Sequence, residues 1–414
     1  MENFKNGTAR YLNDDERMIS TSLKNIPLVI EPSENSGEIN LPDFVAENSR
    51  KILSQLTENG AVLLRGFKVD SEKDFEQTIT SIKGFQAMQS YFMAEPGRTL
   101  VEGLKYVHYT NKIYKTGGTF RLGGFHCENY YTCDVPQFIN FWCSKPSAIG
   151  GETGLVHMGN VYKDLNSSIK EKLEAKAFLS KLYNIKGVSK KYNVTGDEIK
   201  KVCTDLGIPV NITPDGEEWV SLYKPSVIGH PVNSEPALAV NISGTVKGLD
   251  TYLKKILISD YSGFNWTLHR LFWRYPGLLN PKRAVKKAIS SVLKGKKGQD
   301  TSKQSPEAGY NFPAEKLGSV FSEKDISLLA QSVRNNLISF TWERGDILLV
   351  DNLQVAHAGL PGFGSRTIRA ILCNPIRITP AANASGRLNL GPEINYESLA
   401  ATMEGLNTRQ GSLV

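Results

Sequence analysis

No stretch of this 414-residue chain is long and apolar enough to cross a bilayer as a helix, which argues against a membrane-spanning helical protein. The first residues, Met1-Glu2-Asn3-Phe4-Lys5-Asn6, are polar and lack the apolar run of a signal peptide. Cysteine is scarce. The five present (Cys127, Cys133, Cys143, Cys203 and Cys373) are an odd number without C-x-x-C spacing, which points away from a disulfide framework and from a zinc knuckle. A soluble protein of a reducing cytoplasm is the expectation. Acid is missing from residues 282–297, which hold Lys282, Arg283, Lys286, Lys287, Lys294, Lys296 and Lys297. Those seven cations equal the whole formal charge of +7, so the rest of the chain is balanced. Such a chain is a poor candidate for nucleic-acid binding. There is no internal repeat.

What is present is more telling. His126-Cys127-Glu128 is answered far downstream by His357. Residues two apart on a strand point to the same face, so His126 and Glu128 can grip one ion together. A distant imidazole from His357 would complete two histidines and one carboxylate on one face of a metal, with three adjacent positions open. That is the ligand set of non-haem Fe(II) oxygenases. An H-x-E triplet alone is weak, because His and Glu fall two apart by chance. An oxygenase of this kind that uses 2-oxoglutarate also needs a buried cation for the co-substrate's distal carboxylate, and arginine suits it through two parallel hydrogen bonds. Arg366 and Arg369 both follow His357. Their parity differs, so a regular strand would turn at most one of them inward.

The chain is long enough to bury a large core. The pattern predicts a helix near Val45–Leu56 closed by Asn59-Gly60, then a strand Ala61–Leu64 and another at Pro136–Trp142. Helices are expected from about Asn166 to Leu182 and over Asp197–Leu206, with a hairpin turn at Pro214-Asp215-Gly216. Ser322-Glu323-Lys324-Asp325 reads as a capping box opening a helix to about Leu337. Strands follow at Ser339–Trp342, Ile347–Val350 and Thr367–Cys373. The expected fold is mainly β with flanking helices: a double-stranded β-helix (jelly-roll) core with a helical, Lys-rich insertion. One domain covers 1–414, with its core at roughly 60–244 and 314–380 and the insertion at roughly 245–313.

Phe125-His126-Cys127-Glu128-Asn129, Gly150-Gly151-Glu152-Thr153, and Arg344-Gly345-Asp346 through Asp351-Asn352 to His357 resemble the TauD/TfdA family of Fe(II)/2-oxoglutarate-dependent oxygenases. The resemblance is nearest to the branch that includes the syringomycin-biosynthesis hydroxylase. It implies that His126, Glu128 and His357 bind Fe(II), and that Thr153 and Arg366 hold 2-oxoglutarate, with O2 as the second co-substrate. Thr153 follows His126 by 27 residues, as in the family. Related iron halogenases have a small residue in place of the carboxylate. Glu128 fills that position here, so the resemblance implies oxygenation, with hydroxylation as the default and desaturation or ring closure using the same ligands. The chain departs from the family at Tyr109-Thr110-Asn111-Lys112, where an acid is usual, and in a longer stretch between the iron-binding halves.

Asn111 and His230 are the substrate-side candidates, His230 because it precedes a turn in Ile228-Gly229-His230-Pro231. His108, His157 and His269 read as ordinary structural histidines. Cys127 should face away from the ion, and Asp351 and Asn352 either orient His357 or serve only as a turn pair. In residues 282–297 the apolar Val285, Ala288, Ile289, Val292 and Leu293 recur at helical spacing. This basic segment could be a solvated lid, dock an acidic carrier protein bearing the substrate, or rest on an anionic membrane. A small-molecule substrate, an amino acid or a derivative of one, is expected. Two readings from other classes share the metal ligands: a zinc-dependent hydrolase, indifferent to Arg366 and Thr153, and a non-catalytic ligand-binding protein.

Overall fold

The computed structural model describes residues 4–19, 21, 23, 25–34, 39–88, 100–110, 118–119, 122–130, 134–175, 178–192, 194–205, 210–238, 246, 248–275 and 320–378. Its frame is a sheet of seven strands in the order β1-β2-β3-β15-β6-β18-β4. These are β1 (Gly7–Tyr11), β2 (Leu28–Pro32), β3 (Ala61–Leu64), β4 (His108–Tyr109), β6 (Asp134–Lys145), β15 (Ile347–Asp351) and β18 (Thr367–Arg377). A smaller sheet, β14-β8-β16, is made by β8 (Thr153–His157), β14 (Leu337–Phe340) and β16 (Val355–Gly359). A third sheet joins β5 (Gly118–Thr119), β7 (Ile149–Gly150) and β17 (Gly362–Phe363).

Side-chain alternation explains why the two larger sheets face each other. Along β6, Ile139, Phe141 and Cys143 enter one core while Phe138 and Trp142 enter another. Along β15, Leu348 and Val350 alternate with Ile347 and Leu349 in the same way. The inner core also takes Leu155, Ile338, Phe340 and Val355 from the small sheet, so the two sheets pack face to face around it. Helices α1 (Leu41–Asn59) and α2 (Glu72–Ser81) cover the outer face of the large sheet. Helices α3 (Met158–Asp164) and α4 (Ser167–Glu174) cover the outer face of the small one. The result is the expected jelly-roll class with flanking helices, its sheets not closed into a barrel.

Between the two halves lie β9 (Phe178–Asn184), α5 (Ile185–Tyr192), α6 (Gly196–Asp205), β10 (Val210–Ile212), β11 (Glu218–Lys224), β12 (Val227–Gly229) and β13 (Pro236–Leu238). The helix expected to reach Leu182 ends instead at Glu174. Residues from Phe178 form β9 because β11 offers them a partner strand, with Val220 opposite Tyr183. The Pro214-Asp215-Gly216 turn joins β10 to β11 as an antiparallel hairpin. Within the segment read as an insertion, α7 (Leu249–Leu257) buries Leu249, Leu253 and Leu257 and packs on α9 (Glu323–Asn335). Helix α8 (Thr267–Arg274) follows it. The Lys-rich residues 282–297 lie outside the described residues. Two end signals are realised as read: Gly60 closes α1 in the left-handed conformation, and Ser322 with Asp325 forms the capping box of α9. The strand expected at Ser339–Trp342 sits two residues earlier, at Leu337–Phe340.

Candidate metal centre

His357 stands in the middle of β16, and the segment around His126 pairs with that strand at one residue only. The amide of His126 donates to the His357 carbonyl at 3.2 Å, and the amide of His357 returns the bond at 3.0 Å. This single antiparallel bridge sets the two rings side by side, centroids 4.6 Å apart. No strand runs on through Glu128, contrary to the alternation expected from the sequence. Glu128 lies in a turn, followed by Asn129 at a φ of 53°.

The turn is held by Asn352, just past the end of β15. Its side-chain oxygen accepts the Glu128 amide, and its amide group donates to the carbonyls of Glu128 at 3.0 Å and Pro136 at 2.8 Å. Asn352 shapes the Glu128 turn, while the Asp351 carboxylate accepts from His230 Nε2 at 2.8 Å.

The ligand atoms of His126, Glu128 and His357 all lie within 4.8 Å of one another. Glu128 Oε2 is 3.5 Å from His126 Nε2 and 3.6 Å from His357 Nε2. Ligands about 2.1 Å from an octahedral ion sit about 3 Å apart on adjacent corners, so the two Glu128–histidine separations need to contract by only some tenths of an ångström. The donors fit as well as the spacing. His126 Nδ1 lies 2.9 Å from the Gly124 carbonyl, which fixes the proton on Nδ1 and turns the lone pair of Nε2 toward Glu128. Glu128 and His357 are buried, while His126 keeps 32% of its side-chain surface, so the group opens to solvent on the His126 side. The Phe141 ring stands edge-on to His357 at 5.0 Å. Cys127 packs in the apolar core, although no strand alternation places it there, and burial pushes its thiol up to about 12.

Thr153 pairs with Gly359 as Leu155 pairs with His357, so Thr153 and His357 share one face of the small sheet, two residues apart along it. The hydroxyl oxygen of Thr153 accepts the indole N–H of Trp342 at 3.0 Å. Arg366 reaches the same turn, donating to the carbonyls of Gly151 at 2.5 Å and Glu152 at 3.2 Å. Burial lowers its pKa to about 10, the mark of a desolvated cation, and among the described residues it has no acid at ion-pair distance. Arg369 has the opposite fate. It lies opposite Trp142 on the helix-covered face, bonds Glu72 at 3.1 Å and stacks over Tyr109.

His230 is buried, its Nδ1 accepting from the Val232 amide, so both ring nitrogens serve the fold. Asn111 lies outside the described residues. His157 caps α3, and His269 packs among Trp266, Trp273 and Phe363. Trp342 and Asn352 are the contributors that sequence reasoning missed or misplaced. The only signal for Trp342 was an aromatic at the end of an expected strand.

A clavaminate synthase-like protein of Arabidopsis thaliana is 23% identical over 359 residues, covering 84% of this chain and 94% of its own. The dapdiamide synthesis protein DdaC of Enterobacter agglomerans is 21% identical over 332 residues, covering 78% of this chain and 84% of its own. Among solved structures, PvcB of Pseudomonas aeruginosa aligns with a TM-score of 0.46 at 12% identity, over 94% of this chain and 96% of that one. Residues 23–373 match the family described as "Taurine catabolism dioxygenase TauD, TfdA family". The chain therefore belongs to the TauD/TfdA family of dioxygenases, enzymes of the non-haem iron, 2-oxoglutarate-dependent kind.

Proposed function

We propose that this chain hydroxylates an aliphatic C–H bond of an amino acid or amino-acid-derived intermediate, converting 2-oxoglutarate and O2 to succinate and carbon dioxide. Fe(II) is held by His126, Glu128 and His357, and the distal carboxylate of 2-oxoglutarate by Arg366 and Thr153. One observation carries the reading: three ligand atoms converge within 4.8 Å on the face that also presents Thr153, beside an arginine with no acid partner among the described residues. Iron, when bound, supplies the redox centre at which the co-substrates meet.

The residues of the chain do the rest. The Gly124 carbonyl keeps the His126 proton on Nδ1, so its Nε2 is the ligand. Because Thr153 already accepts from Trp342, its own hydroxyl proton remains to be donated to a carboxylate. Arg366 offers that carboxylate a permanent charge in a place poor in water, where a charge-assisted hydrogen bond is strongest. Arg369 is spent on Glu72. Phe141 shields one side of His357 from solvent.

The substrate class draws support from the dapdiamide synthesis protein among the relatives. A carrier-bound form of it is supported by surface chemistry. Residues 261–299 contain no acid, and Phe264, Leu268, Leu271 and Tyr275 form an exposed apolar strip on and beside α8. An acidic carrier would dock there and on 282–297. Changing Lys286, Lys287, Lys294 and Lys296 to Glu should then slow turnover of a carrier-tethered substrate and spare the free one. Equal turnover of both would end the docking idea. We further place the chain in the cytoplasm as one oxygenase domain with an insertion at 245–313, in keeping with the free, buried Cys127, Cys143, Cys203 and Cys373.

The deciding experiment is anaerobic. Fe(II) and then 2-oxoglutarate are added to metal-free protein, and a weak visible charge-transfer band should appear only with both. The band should fade in Arg366→Ala and be absent in His126→Ala. Iron binding without any band would overturn the 2-oxoglutarate assignment.

A further inference from the structure

We infer that Asp250, on the first turn of α7, is a positioning residue for the metal ligand His126, an inference that rests on the metal-centre reading above. The loop before His126 is two glycines with left-handed backbone, Gly123 at a φ of 91° and Gly124 at 81°. The amide of Gly124 donates to Asp250 Oδ1 at 3.2 Å. The carbonyl of the same Gly124 receives His126 Nδ1 at 2.9 Å. One residue is thus tied at its amide to a helix and at its carbonyl to a metal ligand. The two bonds belong to successive peptide units, so Asp250 acts by geometry: it fixes where the Gly124 carbonyl points, and that carbonyl fixes the tautomer and tilt of the imidazole.

The approach is close. A Cβ on Gly123 would lie 3.2 Å from Asp250 Oδ1, tighter than most such contacts, so a side chain there would push the carboxylate aside by a few tenths of an ångström. The anchor itself is rigid, since Leu249, Leu253 and Leu257 are buried and α7 packs on α9. A carboxylate on the first turn of a helix also sits well against the helix dipole. His126 needs such support more than its partners do. It is the most exposed of the three ligands and is held to the small sheet by a single bridge.

The test uses Co(II) alone, titrated into metal-free full-length protein and read by its visible spectrum. Loss of an outer partner of a metal-bound histidine costs about 10- to 100-fold in metal affinity. Asp250→Ala should show that loss, while Asp250→Asn, which keeps an acceptor oxygen, should stay within a few-fold of the parent. In the Co(II) protein the paramagnetically shifted Nδ1 proton of His126 should exchange with solvent faster in Asp250→Ala, an effect that general loosening of α7 would not confine to this ligand. Should Asp250→Ala fail to fold, Asp250→Ser, which keeps a polar side chain on the first turn but falls short of Gly124, serves in its place. Parent-like Co(II) affinity and proton exchange in the folded variant would overturn the inference and leave the metal centre standing. Failure of the parent protein itself to bind Co(II) would bring down both.

Discussion

Arg366 and Arg369, three residues apart, occupy opposite electrostatic circumstances. Arg369 is neutralised by Glu72 and stacked on Tyr109, whereas Arg366 is buried against carbonyls. Carbonyl oxygens do not cancel a full charge, so Arg366 carries an unspent attraction for an anion. Arg366→Ala should raise the 2-oxoglutarate concentration for half-maximal succinate formation by roughly 10- to 100-fold, the worth of a charged hydrogen bond. Arg369→Ala should leave it within a few-fold. Steady-state kinetics on the two variants separates them, and equal effects would mean that the assignment is wrong. Next to this turn, burial raises the Glu152 carboxyl to about 7, against the opposing pull of the Ser339 and Thr341 hydroxyls. A carboxyl raised in the folded state favours folding at low pH. That contribution is complete below the ordinary value near 4.5 and disappears as pH rises to about 7. Glu152→Gln should flatten stability across that window, which denaturant melts at stepped pH will show.

At the scale of elements, the antiparallel pair of β7 and β17 is pressed so tightly that side chains have no room. A Cβ on Gly362 would sit 2.3 Å from the Gly151 amide nitrogen, a backbone atom that cannot move aside cheaply. Gly150, at a φ of 61°, would meet the Trp266 ring at 2.5 Å. The contact places the Gly151-Glu152 carbonyls where Arg366 reaches them. Gly362→Ala should therefore cost about 1–3 kcal/mol of stability and weaken 2-oxoglutarate binding as well. A thermal midpoint measured with and without the co-substrate tests both halves. Gly187→Ala, at an exposed glycine with open space around it and no left-handed backbone, gives the clash-free comparison.

Across the whole molecule, the N-terminal segment is locked to the sheets by a buried ion cluster. Arg65 leaves β3 and grips Asp346 with two hydrogen bonds at 3.1 and 2.7 Å, Glu16 at 2.7 Å and the Thr341 carbonyl at 2.7 Å. Arg65 keeps 4% of its side-chain surface and Asp346 1%. Removing one partner strands the others without water, so Arg65→Ala should cost about 3–5 kcal/mol. Equilibrium unfolding in urea measures it. A loss below about 1 kcal/mol, typical of an exposed pair, would show that the cluster is solvated.

Composition and local pattern determined the kinds of chemistry open to this chain. Two imidazoles and a carboxylate name their own metal class, and alternating apolar residues in Ile347–Val350 or the Ser322–Asp325 cap can be read without a partner, because each depends on neighbours a few residues away. Tertiary structure decided everything that hung on a distant partner. Glu128 reaches the metal group through a turn clamped by Asn352, 224 residues on, and not through strand alternation. Residues 178–184 became a strand because β11 was there to receive them, and the register of β18 on β6 set Arg369, and not Arg366, beside Glu72. Asp250 came to the metal loop from a helix 126 residues away. A hydrogen bond or an ion pair depends on distance in space, and spacing along the chain encodes that distance only within a turn or a strand.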